Sequence, residues 1–388
     1  MSRSVPIDAL RAFVTLLVVG HHAALAYHPY APPPAASLLA EPVWWTAFPV
    51  VDAHRTLAAA LFTGWNDGFF MALMFLLSGL FCAPSVARQG PRAFLAGRLP
   101  RLAIPFVVIA ALVAPLAYYP SYLATAAPEG VAGYGRDWRA LPFWPAGPGW
   151  FLWVLLAFDA AAAAAFALRP GWATACSARL SGLLERPFAA FALLTGLSAL
   201  VYVPATLAFH PLHWTTVGPF AVQTSRVPLY ALYFAAGVVI GAGGLGRGLL
   251  AEGGRLARRW PLWVGAAVIA FVAATAAVLA ALSPQAPRSV QAAAAAAYTL
   301  SCAASSFALC AVFVRFAARP GAARAHLAAS AFGIYVLHYP IVSWLQRAAL
   351  GLSLPGIVKM AGVTLATIAL SWALAAVLRR ARLVRRFL

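Results

Sequence analysis

The chain has 388 residues, 63% of them hydrophobic and only 10% charged, with a formal net charge of +19. Soluble domains carry about 25% charged residues, so this composition excludes an ordinary soluble enzyme and describes a polytopic membrane protein. The basic excess does not describe a nucleic-acid binder, because the arginines are divided among short segments between apolar stretches and form no single patch.

Ten apolar segments of helix length are predicted, at residues 9–28, 67–87, 101–119, 147–168, 187–208, 227–245, 261–282, 290–314, 328–346 and 356–378. The breaks between them carry Pro, Gly and Arg clusters, as loops do. No internal repeat and no soluble segment is visible, so the expected fold is all-α, with residues 1–388 forming one membrane-embedded domain. Twenty basic residues fall on the side of the termini and six on the opposite side (Arg55, Arg136, Arg139, Arg226, Arg288 and Arg347). That asymmetry predicts cytoplasmic termini. Arg11 and Lys359, the only lysine, fall within spans.

The first segment, DALRAFVTLLVVGHHAALAYH, carries an Asp, an Arg and a His-His pair. It is expected to be retained as the first span, because charge borders the apolar run and the histidines occupy its far end. Charge in hydrocarbon costs roughly 2.5–3.5 kcal/mol per group at mid-membrane, so a span that keeps it usually uses it. Arg11 and His22 are eleven positions apart, which puts them on one helix face about 16 Å apart along the axis. His21 points about 100° away. Asp8 sits one turn before Arg11 and can pair with it.

Two long loops follow on the side opposite the termini, at 29–66 and 120–146, both rich in Trp, Tyr and Pro. Their aromatics read either as membrane-interface anchors or as a platform for sugar rings. Between them lies MALMFLLSGLFCAPS, where Ser78 and Gly79 are small enough to let helices approach closely. The basic stretch ARQGPRAFLAGRLPRLAIPF reads as an inner loop, with a helix start at Pro100 and a kink at Pro105. Its Arg98 and Arg101 share a helix face, either as an ordinary positive-inside anchor or as a clamp for an anionic ligand. GPGWFLWVLLAFD ends in Asp159, which can pair with Arg11 or an inner-loop arginine, or snorkel to the surface. SAFGIYVLHYPIV places Tyr335 and His338 one turn apart on one face. The four cysteines make no zinc spacing, His210 and His213 have no acid beside them, and no metal site is expected.

These stretches, in this order, resemble the acyltransferase 3 family of bacterial membrane acyltransferases over nearly the whole chain. DALRAFVTLLVVGHHA resembles the family's D-x-x-R-x(10)-H pattern, which selects Arg11 and His22 over His21. MFLLSGLF, RLPRLAIPF, WFLWVLL and FGIYVLHYP resemble the F-F-x-L-S-G-F, R-x-x-R-x-x-x-P, W-F-L and Y-x-x-H-x-P segments. The chain departs at Met74, where an aromatic is common, and at Gly149-Trp150, which replaces a polar-Leu-Trp step. The long first loop resembles that of periplasmic-glucan succinyltransferases.

The resemblance implies an inner-membrane O-acyltransferase. It would move an acetyl or succinyl group from cytoplasmic acyl-CoA to a hydroxyl of an extracytoplasmic carbohydrate, as in polysaccharide O-acetylation. Acyl-CoA would serve as co-substrate with no tightly bound cofactor, and lipid and a glycan acceptor would be the partners. Acyl transfer to an alcohol needs a base for the hydroxyl proton, and imidazole with an intrinsic pKa near about 6.5 suits it. His22 is accordingly the expected base, or the nucleophile of a covalent acyl-His route. Arg11, paired with Asp8 or Asp159, would orient the donor's pantetheine arm, and Arg98 and Arg101 would hold its phosphates. Ser78, Tyr335 and His338 would line the tunnel or stabilise the oxyanion. A proton-coupled carrier or flippase for a sugar-containing or anionic substrate is the alternative, since intramembrane Arg, Asp and His also serve transport.

Overall fold

The computed structural model describes residues 4–319, 321–381, 384 and 387. Arg3, Arg382, Arg385 and Arg386, which enter the charge asymmetry above, lie outside the described residues. Among the described residues, ten helices are long and apolar enough to cross a membrane: Val5–Leu25, Leu57–Gly79, Cys82–Tyr122, Gly147–Leu168, Pro187–Phe209, Thr224–Gly243, Trp260–Ala281, Arg288–Phe316, Ala322–Ala349 and Gly356–Leu378. They are called the first to tenth spans below. Helices satisfy their own backbone groups, which is what hydrocarbon requires of a spanning segment. The β-structure among the described residues is one antiparallel hairpin, Trp214–Val217 with Phe220–Gln223, turned at Gly218 with φ +56°.

The first span is the centre of the bundle and packs against the second, eighth, ninth and tenth. Leu10, Val14, Val19, Ala23 and Ala24 are fully buried along it. The seventh span lies at the rim: Ile269 is 72% exposed and Val272 61%, an apolar face suited to lipid. Glycine decides how closely the second and sixth spans meet. A Cβ on Gly79 would run into the Phe234 carbonyl, and one on Gly237 or Gly241 into the carbonyls of Leu76 or Leu80. Small residues are what allow two backbones to touch in this way.

Three expectations are corrected. The second span begins at Leu57 rather than 67, and it is broken at mid-length: a helix over Leu57–Asp67 ends, and another starts at Phe70. The basic stretch after Cys82 is helical, not a loop. It breaks at Gly90, with φ +80°, and restarts at Pro91 rather than Pro100. Proline suits that first helical position because its missing N–H has no intrahelical partner there. One turn of π-helix over Ile109–Val113 then leads to the upper third span.

The two long loops form an aromatic cap on the side opposite the termini. Trp45, Tyr118, Tyr122, Tyr134, Trp138 and Tyr339 are buried together in it. The Trp45 indole N–H donates to the Leu38 carbonyl at 3.0 Å, and Ser121 Oγ donates to the Pro49 carbonyl at 2.8 Å. Burial and hydrogen bonding thus occupy most of these rings, with Trp44 and Tyr30 left exposed. A buried ion pair straps the first loop down: Lys359 Nζ of the tenth span lies 2.8 Å from Asp52 Oδ2, and both side chains are shut off from solvent. Burial of the Tyr27 hydroxyl under this loop, with the nearby Asp52 charge, pushes its ionisation upward.

Candidate active site

His22 lies on the last turn of the first span, one turn after Val18. Its Nδ1 is 2.9 Å from the Val18 carbonyl and 3.1 Å from Nε2 of His338, on the ninth span. His338 Nδ1 is in turn 2.6 Å from the Tyr335 carbonyl. These acceptors assign both tautomers. A carbonyl can only accept, so each Nδ1 carries a proton, and the bare Nε2 of His338 faces the N–H of His22. His22 Nε2 is then the atom of the pair with an uncommitted lone pair, held in place by two acceptors on the other side of its ring.

The surroundings lock this geometry. The Tyr339 ring stands edge-on to His22 with centroids 5.1 Å apart. Tyr339 Oη donates to Tyr118 Oη at 3.1 Å, and Tyr118 donates to the Thr46 carbonyl at 2.9 Å, so the first loop is tied to the histidine's neighbour. Gln346 Nε2 donates to the carbonyls of His22 and Ala23 at 2.8 and 3.1 Å. Those carbonyls belong to the helix end and lack intrahelical partners, so a buried amide suits them.

The other expected residues separate into two levels. Asp8 and Arg11 pair at 3.9 Å at the terminal end of the first span, and the Arg11 guanidinium lies over the Phe81 ring. Arg98 pairs with the fully buried Asp159 at 3.2 Å, joining the third and fourth spans. Of the partners open to Asp159, the inner arginine is the one found. Arg101 is exposed. Ser78 Oγ donates back to the Met74 carbonyl at 2.8 Å, and Tyr335 Oη donates to the Pro148 carbonyl, so both hydroxyls are engaged in packing. His338 alone of the supporting candidates contacts His22. No metal-holding cluster occurs among the described residues.

A cleft of about 930 Å³ opens on the terminal side between the third, fourth and sixth spans. Gln89, Arg92, Phe166, Thr174 and Gly243 are among the residues lining it.

Two features escaped the sequence reading. Asp67 makes a bidentate ion pair with Arg226, at 2.8 and 2.5 Å. By sequence, Asp67 falls at a span's edge and Arg226 in a loop. Asp52 with Lys359 is the second. The scarcity of acids was the available signal: with nine in the chain, one inside an apolar run needs a partner.

Fold and site together define a multi-pass membrane protein that carries a paired, oriented imidazole inside its helix bundle. The chain belongs to the acyltransferase 3 family: the model for this acyltransferase domain (Acyl_transf_3) matches residues 5–376. It is a membrane acyltransferase. No curated protein and no solved structure matches the chain.

Proposed function

We propose that this protein transfers an acyl group, acetyl or succinyl, from cytoplasmic acyl-CoA to a hydroxyl of an extracytoplasmic carbohydrate at a bacterial inner membrane. The observation that carries this reading is the His22–His338 pair, which leaves His22 Nε2 unprotonated inside the bundle. The acceptor oxygen attacks the thioester carbonyl while its proton passes to His22 Nε2. The tetrahedral intermediate collapses, the C–S bond breaks, and the proton moves from His22 to the departing thiolate. The ester and CoASH leave, and no proton is gained or lost overall.

The donor comes from the terminal side. The 930 Å³ cleft there is of a size for a nucleotide and the start of its pantetheine arm. Arg11 lies on the same first-span face as His22, about 16 Å away, so one helix can hold both ends of an extended arm. Arg101, exposed beside the paired Arg98, supplies a guanidinium for a donor phosphate.

The test is consumption of labelled acetyl-CoA and succinyl-CoA by the purified protein in nanodiscs, read as free thiol. His22→Gln should reduce turnover by about 10²–10⁴-fold, the usual contribution of a positioned base, while donor binding persists. Turnover near wild type in His22→Gln would refute the base assignment. An acyl adduct on His22 accumulating without acceptor would replace direct transfer by a covalent route.

A further inference from the structure

The two consecutive histidines of the first span face different neighbours. His22 faces the ninth span, whereas the His21 ring stacks on Phe70 of the second span, with centroids 5.2 Å apart. Phe70 opens the helix that follows the mid-span break, and Asp67 closes the helix before it. Within a bilayer, broken backbone is tolerated where it is buried in protein or lines a cavity. Here the break is met by side chains from two other spans. Arg226 grips the Asp67 carboxylate with both terminal nitrogens, and Tyr298 Oη donates to the Asp67 carbonyl at 3.2 Å. The Tyr298 ring also lies under the guanidinium, 5.2 Å from its carbon. Both charges are within electrostatic reach of His21.

The pair is not sealed: the Asp67 side chain is 42% accessible although its residue lies midway along a span and is ringed by the first, sixth and eighth spans. Arg226 is 5% exposed, yet its Nε has no hydrogen-bond partner among the described residues, and neither has His21 Nδ1. An accessible carboxylate therefore lies beside an enclosed, unmatched guanidinium N–H and within electrostatic reach of an enclosed, unmatched ring nitrogen, next to the proposed base. Such groups are costly at this depth unless something polar satisfies them.

We infer that Asp67, Arg226, His21 and Tyr298 form the subsite that binds the acyl acceptor, a neutral polyhydroxylated ligand of the sugar or cyclitol class. The charge balance selects neutrality. Asp67 and Arg226 cancel, so an anionic ligand would meet the carboxylate and a cationic one the guanidinium. The hydrogen-bonding inventory selects hydroxyls. Each Asp67 oxygen retains a lone pair beyond its bond to arginine, Arg226 Nε donates, and His21 can do either. Position selects the acceptor role. The His21 and His22 rings are 5.6 Å apart, so a ring with one hydroxyl at Asp67 can offer another to His22. This subsite rests on the acyl-transfer reading for its role, but not for its existence.

The test is binding without acyl donor. Wild-type protein in nanodiscs is titrated with tritiated methyl glucoside, trehalose and myo-inositol. At least one should bind saturably and slow carbodiimide labelling of Asp67, read by mass spectrometry on the unaltered protein. Asp67→Asn should weaken binding at least about tenfold, as loss of a charged hydrogen-bond acceptor does. The double variant Asp67→Asn/Arg226→Gln buries no net charge and serves where the single variant misfolds. It should elute as a monodisperse species and still bind at least about tenfold more weakly. Failure of all three probes to bind or to protect Asp67, or unchanged affinity in the folded double variant, would overturn the subsite. Thiol release from acyl-CoA is measured separately. Its absence alongside intact sugar binding would sink the acyl-transfer reading and leave the subsite standing.

Discussion

At the scale of single residues, the site depends on which nitrogen of His22 is free. His338 matters because its bare Nε2 accepts from the Nδ1–H of His22, 3.1 Å away. In the proposed mechanism it orients the base without touching the reacting atoms. His338→Phe should therefore lower kcat by about 10²-fold, the cost of a small misplacement, with the KM for acyl-CoA little changed. His338→Gln should be milder, because its side-chain carbonyl can accept the same proton. Equal losses in both variants, or a loss in KM alone, would show that His338 acts otherwise. The sequence made His22 and His338 visible separately, since each is a polar residue in an apolar span. Their contact joins residues 316 positions apart and has no local signature. Tyr335 shows the converse: it shares a face with His338, but its hydroxyl is engaged by the Pro148 carbonyl, a partner that spacing could not reveal.

At the scale of elements, hydropathy located most helices to within a few residues but could not see inside them. The fourth and tenth spans run as expected because each is one long apolar run that a single charge, Asp159 or Lys359, does not interrupt. Hydropathy starts the second span ten residues late because Asn66, Asp67 and Gly68 look like a loop, and they do form a break. What the sequence lacked was the partner that makes a mid-span carboxylate tolerable. The same reasoning applies to the strap between the first loop and the tenth span. Lys359 and Asp52 are both buried, so removing one leaves a buried charge without its counter-ion, with His54 as its remaining polar neighbour. Lys359→Met should destabilise the protein by about 3–5 kcal/mol, and Asp52→Leu/Lys359→Met should recover most of that loss. Thermal unfolding in detergent, followed by size-exclusion chromatography, checks both. A double variant as unstable as the single one would mean that the charges do more than satisfy each other.

At the scale of the whole molecule, the bundle connects its two faces through one helix. The first span carries Arg11 near the terminal side and His22 one turn from the opposite end. The cleft opens on the terminal side, and the loop cap closes over the His22 level. A donor reaching inward from one side and an acceptor from the other would then meet without either crossing the membrane. The proposed orientation of this device follows the arginine asymmetry, because positive loops tend to stay in the cytoplasm. Three ion pairs within the bundle do not blur that signal: Asp159 with Arg98 stays on the basic side, and Asp67 with Arg226 and Asp52 with Lys359 stay on the poor one. Sealed membrane vesicles of opposite orientation give the decisive comparison. Acyl-CoA cannot cross a bilayer unaided, so thiol release should begin at once in inside-out vesicles and remain at background in right-side-out ones until they are permeabilised. Immediate turnover in right-side-out vesicles would place the donor cleft outside and reverse the orientation. Equal turnover in both would mean that the donor reaches His22 from either side, and the one-helix division of labour between Arg11 and His22 would fall with it.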